Sequence, residues 1–285
     1  MGSDPIISLP VTLAVLGAAL LHAGWNALLK SGADKQLDAI GLAAGSGALA
    51  LAAAPFVPAP APASFPWIAA SAVIHIAYFW LLAGAYRWGD MSFTYPIMRG
   101  GGPLIVTVAG GAAFGETLAG GQVLGVLLIS VGILAFATHP AADAKALRKS
   151  LAFALANAAV IAAYTLIDAK GARLSGAPVS YTLWFFVANG LVILAMGCLQ
   201  RGVAVPRHLL RHWRTPIFGG ACAVGAYAVA LWAMTKAPVA LVAVLRETSV
   251  VFAAVLGGLF LKERFTSQRL AATVAVLAGL VVLRM

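Results

Sequence analysis

The stretch "FTYPIMRGGGPLIVTVAGGAAFGETL", residues 93–118, is long and apolar enough to cross a bilayer, yet it carries Arg99 a few residues into the run. It is also repeated. Laid over residues 243–264, "AVLRETSVVFAAVLGGLFLKER", one offset places Arg99 on Arg246, the Gly110 and Gly111 pair on Gly257 and Gly258, and Glu116 on Glu263. A charge that recurs at one register in two copies is part of a repeated element, and the fold follows from asking how the chain accommodates it twice.

The setting is lipid. Of 285 residues, 62% are hydrophobic and only 10% charged, with a mean hydropathy of +0.95, well outside the range of soluble domains. Crossing a hydrocarbon core about 30 Å thick takes about 20 mostly apolar residues. Ten such runs stand near 8–29, 37–57, 66–86, 92–114, 119–138, 149–170, 178–199, 214–235, 238–260 and 266–284. Their length and lack of alternation predict helices rather than barrel strands, since a helix satisfies its own backbone polar groups in lipid.

The expected architecture is therefore an all-α integral membrane protein of ten transmembrane helices. Residues 1–138 form one five-helix repeat, 139–148 a connection and 149–285 the second repeat. Five is odd, so the second copy runs through the membrane in the opposite sense to the first. Inverted repeats of this kind are typical of secondary transporters, with the substrate near the midplane between the halves. A weaker match, "GWNALLK" ending at Lys30 against "AYTLIDAK" ending at Lys170, needs a one-residue shift.

The connections are short. Residues 57–65, "VPAPAPASF", read as a stiff proline linker, and 200–214, "QRGVAVPRHLLRHWR", as the site of a short interfacial helix. The net charge of +10 belongs to the loops. Odd-numbered loops hold Lys30, Lys35, Arg87, Lys145, Arg148, Lys149, Arg201, Arg207, Arg211, Arg214, Lys262, Arg264 and Arg269, whereas the even loops and termini hold only Lys170, Arg173, Lys236 and Arg284. The positive-inside rule then puts the odd loops in the cytoplasm and both termini outside. Nucleic acid is not an expected partner. The two cysteines, Cys198 and Cys222, lie in or beside spans and exclude a disulfide framework, and no basic region ahead of residue 8 marks a cleaved signal peptide.

Charged and aromatic residues within spans are the candidate site. Arg99 and Arg246 lie ~10 to 12 Å in from opposite faces at 1.5 Å per residue, and a buried charge in lipid points to a cavity or a partner. Either arginine could attract an anionic group such as a carboxylate, with Glu247 a possible neutraliser of its neighbour Arg246; helix-end carbonyls or snorkelling are the structural alternatives. Glu116 and Glu263, at span ends, suit interfacial or cap charges. Trp25, Tyr78, Trp80, Tyr95, Tyr164, Trp184, Tyr227 and Trp232 lie deep, in contrast to the interfacial Trp67, Tyr86, Trp88 and Trp213.

Those with small or polar neighbours fit a cavity wall: Trp25 with His22 and Asn26, Tyr78 with His75, Tyr95 beside Pro96, and Tyr227. The candidate substrate-binding set is Trp25, Asn26, His75, Tyr78, Tyr95, Arg99, Tyr164, Tyr227 and Arg246. Aromatic walls with few polar groups suit amphipathic organic solutes rather than bare ions. Gly100, Gly101, Gly102 and Pro103 form a candidate flexible point. No metal-ligand spacing, paired carboxylates, nucleophile with base, or phosphate-binding loop is present, so neither a metal, a cofactor nor an enzyme activity is expected.

With "WNALLK" closing the first span, "YPIMRGGGPL" and its following "GE" in the fourth, and "LRETSVVFAAVLGGLFLKER" in the ninth, the chain resembles the drug/metabolite transporter superfamily, EamA type, and within it the YddG-type amino-acid exporters of bacterial inner membranes. The resemblance implies export of aromatic and other neutral amino acids by alternating access through a central cavity. Nucleotide sugars, sugar phosphates and lipophilic cations are the alternative cargoes. The small four-helix multidrug relatives are driven by an acidic residue in their first span; residues 8–30 have none, which leaves gradient-driven efflux beside proton coupling.

Overall fold

A computed structural model describes residues 7–32, 34–137, 143–261 and 266–284; of Lys30, Ser31 and residues 256–261 only the backbone course is described. Among the described residues the structure is helical throughout and contains no strand. Its helices are α1 (Leu9–Ser31), α2 (Lys35–Ala53), α3 (Phe65–Trp88), α4 (Met91–Phe114), α5 (Gly120–Leu134), α6 (Ala144–Ser175), α7 (Pro178–Arg201), α8 (Ala204–Arg211), α9 (Arg214–Met234), α10 (Val239–Arg246), α11 (Ser249–Leu261) and α12 (Ser267–Val282).

Seven of these, α1 to α4, α6, α7 and α9, are long and apolar enough to cross a membrane, while α5 and α12 are apolar but shorter. Large apolar side chains face outward on every side. Leu13, Val108, Val131, Leu155, Leu191 and Leu277 are all exposed, the distribution of a helix that is greasy all round because its solvent is lipid.

The ends follow local chemistry. Asp34 accepts the Leu37 amide at 3.0 Å and Asp143 the Ala146 amide at 2.8 Å, satisfying donors that a helix start leaves unpaired. The Leu37 amide, with Arg201 close by, holds the Asp34 carboxyl below its usual range. Gly115 and Gly176 end α4 and α6 at φ of +65°, a left-handed cap that a Cβ disfavours. The interfacial helix expected in residues 200–214 is α8, tied to α2 by a 2.8 Å contact from His208 Nε2 to Asp38 Oδ1.

Two expectations change. The ninth span, expected to run unbroken over 238–260, is divided into α10 and α11. Between them the Glu247 and Thr248 amides bond to the carbonyls of Val244 and Leu245, three residues back rather than four, a tight turn that bends the helix beside Arg246. Conversely, α4 passes through Gly100, Gly101, Gly102 and Pro103 without a break. There the glycines serve close approach: a Cβ on Gly100 would stand 2.8 Å from Leu134 Cγ, one on Gly101 3.2 Å from Ala158 Cβ, and one on Gly102 3.0 Å from Ile161 Cγ2. In addition, α6 begins at Ala144, inside the expected 139–148 connection. Lys262, Glu263 and Arg264 lie outside the described residues.

The packing is mutual between the halves. Helix α1 lies on α9 and α11, and α6 lies on α3 and α4; α2 packs on α9, and α7 on α3; α2 crosses α7, and α5 lies along α12. At the α2–α7 crossing the backbones nearly touch. A Cβ on Gly190 would sit 2.8 Å from the Ala43 carbonyl oxygen and 3.0 Å from Gly47 Cα. Both obstacles are backbone, so the helices would have to part. Gly190→Ala is expected to cost about 1–3 kcal/mol, the range for overpacking a tight contact, read as a lowered thermal unfolding midpoint in detergent; an unchanged midpoint would contradict this contact.

Candidate functional site

A cavity of ≈ 240 Å³ lies among α1, α2, α3, α4, α6, α7, α9 and α10, and all nine sequence candidates line it. They reach it because helical spacing aligns them. His22, Trp25 and Asn26 occupy one face of α1 at i, i+3 and i+4; His75 and Tyr78 do so on α3, and Tyr95 and Arg99 on α4. Tyr164, Tyr227 and Arg246 come from α6, α9 and α10, all in the second half of the chain. Leu29, Ala39, Leu82 and Tyr95 extend the lining toward the end of the bundle where α1 meets α2 and α3 meets α4.

The arginines are not equivalent. Arg99 Nε stands 2.6 Å from Glu247 Oε2, with both side chains almost wholly buried. Its Nη2 lies 3.2 Å from His22 Nε2. Guanidinium nitrogens only donate, so this His22 nitrogen accepts and the ring carries its proton on Nδ1. Glu247 thus neutralises Arg99 across the bundle rather than its chain neighbour Arg246, as the sequence had suggested. Arg246 is left with its Cζ 5.1 Å from the Tyr227 ring centroid and no carboxylate partner among the described residues.

Asp168 explains where Tyr227 stands. This carboxylate is fully buried and accepts the hydroxyls of Tyr181, at 2.8 Å, and Tyr227, at 2.5 Å, so its hydrogen bonds hold the ring that Arg246 faces. His75 packs beside the same group, its ring centroid 4.5 Å from Tyr164 and 4.9 Å from Phe185, and Phe185 in turn 5.5 Å from Tyr227. His75 Nδ1 donates to the Ser71 carbonyl at 2.8 Å. Asn26 likewise donates to the His22 carbonyl at 2.8 Å, which leaves its side-chain oxygen as an acceptor.

Three deep aromatics stay outside. Trp80 is 69% and Trp184 37% exposed on the outer surface, and Trp232 packs against the core. His22, Phe185, Phe186 and Asn189 line the cavity without having been chosen from the sequence. Glu116, expected as a cap, is one: it accepts the Val239 amide at 2.8 Å at the start of α10 and pairs with Arg173 at 2.6 Å, while Arg173 Nε donates to the Met234 carbonyl at 2.9 Å. This knot joins the ends of α4, α6 and α9 at the end of the bundle opposite to Leu29 and Leu82.

A bundle of apolar, outward-greasy helices around a cavity defines a multi-pass membrane protein. Residues 148–285, the second half of the chain, match the EamA-like transporter family. No curated protein matches the chain. Among similar solved structures, one described only as "Crystal structure of protein" superposes with a TM-score of 0.73 over 97% of this chain and 98% of that one, at 19% identity, and so shares the fold.

Removing one member of a buried ion pair leaves the other charged and unsatisfied, at a cost of about 3–5 kcal/mol. Glu247→Gln and Arg99→Gln should each destabilise the protein by about that much, and the double variant by clearly less than their sum, as read by denaturant titration in micelles. Additive losses would mean that the pair is not coupled.

Proposed function

We propose that this protein is a secondary carrier that exports amino acids, aromatic and other neutral ones, by alternating access through the cavity. The observation that carries the reading is Arg246, a guanidinium without a carboxylate partner among the described residues, in a small aromatic-walled chamber. Such a chamber suits a zwitterion with an apolar side chain: the carboxylate meets Arg246, and the side chain lies among Tyr78, Tyr95, Tyr164 and Trp25. Its ≈ 240 Å³ falls below the about 300–1,000 Å³ of drug-sized sites. That size, and a lining in which Arg246 alone of the two arginines lacks a carboxylate partner among the described residues, disfavour nucleotide sugars and sugar phosphates. Lipophilic cations are disfavoured because Glu247 and Asp168 are already engaged.

Alternating access is supported by the packing. Exchanging spans 1–5 for 6–10 turns the α1–α9 contact into α6–α3, α1–α11 into α6–α4 and α2–α9 into α7–α3, and leaves α2–α7 and α5–α12 as self-paired contacts. This exchange supports ten spans in two inverted repeats, the arrangement in which a two-fold axis lies in the membrane plane. With the odd loops in the cytoplasm of a bacterial inner membrane and the termini outside, the cavity faces inward and the Glu116–Arg173 knot closes the outer side. A monomer contains the whole cavity.

Rocking of the halves then needs α10 and α11 to move at their tight turn, while the Gly100–Pro103 segment of α4 lets its helix slide on α5 and α6. Because Glu247 and Asp168 are both bound to protein groups, the concentration gradient of the amino acid is the driving force in this reading.

In proteoliposomes the protein should give saturable flux of phenylalanine without an imposed proton gradient. Arg246→Gln should raise the half-saturation concentration about 10- to 100-fold, the worth of a hydrogen-bonded charge. No saturable amino-acid flux, or an unaltered half-saturation in the variant, would reject the reading.

A further inference from the structure

Asn189 lies in the middle of α7, lines the cavity and is 7% exposed. Its Oδ1 is buried with no hydrogen-bond partner, and its amide nitrogen also has none among the described residues. A buried amide without a partner costs free energy and contributes nothing to the stability of its helix. Such groups call for an explanation, and one that faces a cavity is explained by a ligand.

Its placement is built. Asn189 precedes Gly190, and Ser46, also a cavity residue, precedes Gly47; these two glycines are the pair that meets at the α2–α7 crossing. Asn189 and Ser46 thus bring an amide and a hydroxyl to the same cavity, one from each half of the chain. Phe185 is one helical turn before Asn189 and stacks on His75, so the amide is flanked by an apolar wall. Neither group is charged. A carboxylate would find the stronger partner in Arg246, which has no carboxylate partner among the described residues, whereas the buried carboxylates there are engaged: Glu247 is held by Arg99 and Asp168 by two tyrosines.

We infer that Asn189, assisted by Ser46, is the binding site for the substrate's ammonium group, completing a two-point grip on a zwitterion whose carboxylate goes to Arg246. The inference rests on the amino-acid reading of the cavity. It also supplies what that reading lacks, a means of telling an amino acid from the simple carboxylic acid with the same side chain. Without the ammonium the amide oxygen stays unpaired, and a site built around a hydrogen bond rejects the analogue that cannot make it.

The test is titration calorimetry of the purified full chain with phenylalanine and with 3-phenylpropanoate, which lacks only the amine. Wild type should bind phenylalanine more tightly. Asn189→Leu should weaken phenylalanine about 10- to 100-fold, the effect of one hydrogen bond to a charge, and leave 3-phenylpropanoate within about twofold, because that ligand never used the amide. Asn189→Asp, close in shape, should retain phenylalanine and weaken 3-phenylpropanoate. Equal losses for both ligands in Asn189→Leu, or no loss for either, would overturn the inference, as would loss of phenylalanine binding in Asn189→Asp. If wild type binds no amino acid while other small solutes bind, the amino-acid reading itself fails.

Discussion

The structure turns on the buried pair between Arg99 and Glu247. One residue belongs to a helix of the first half and the other to the tight turn between two helices of the second, so the 2.6 Å contact ties the halves together at the level of the cavity. Burying two charges costs several kcal/mol each before their attraction offsets it, and a hydrophobic pair would hold the helices as well. What the ion pair adds is an unequal outcome for two arginines that the sequence repeats at one register. Arg99 is compensated and held; Arg246, beside the same glutamate in the chain, is turned toward the aromatic wall and keeps its charge for whatever enters.

Geometry around that pair divides the bundle into two ends. Toward the α1–α2 and α3–α4 connections the cavity is lined by separate side chains from several helices. Toward the other end Glu116, Arg173 and the backbone of Met234 and Val239 form a closed set of polar contacts. An asymmetric chamber of this kind, built from mutually exchanged helix contacts, is what one state of a two-state carrier requires.

Much of this is legible in the residues. Apolar length and charge spacing outline the helices, and the nine candidate residues converge because each combines depth in a span with a small or polar neighbour, the conditions for facing another helix or a cavity rather than lipid. Trp80 and Trp184 lack that neighbour pattern, and both lie on the outer surface. Other features depend on three-dimensional proximity alone. Glu247 follows Arg246 in the chain, so adjacency suggested the wrong partner; only the bend between α10 and α11 shows that a carboxylate there points to α4. The glycine run of α4 reads locally as a flexible point, and what only the structure adds is how close its neighbours in α5 and α6 stand. Asn189 gave one signal that could have been used: an amide in the apolar run "VANGLV" followed by glycine, like Ser46 before Gly47 in the other half.

The central claim is that the two arginines have different jobs, Arg246 receiving the substrate and Arg99 holding Glu247. An experimental structure of the protein with phenylalanine bound tests it most directly. The account predicts the carboxylate within hydrogen-bond distance of the Arg246 guanidinium, with the Arg99–Glu247 contact intact. A carboxylate seated on Arg99 with Glu247 displaced, or a ligand outside the cavity, would contradict it.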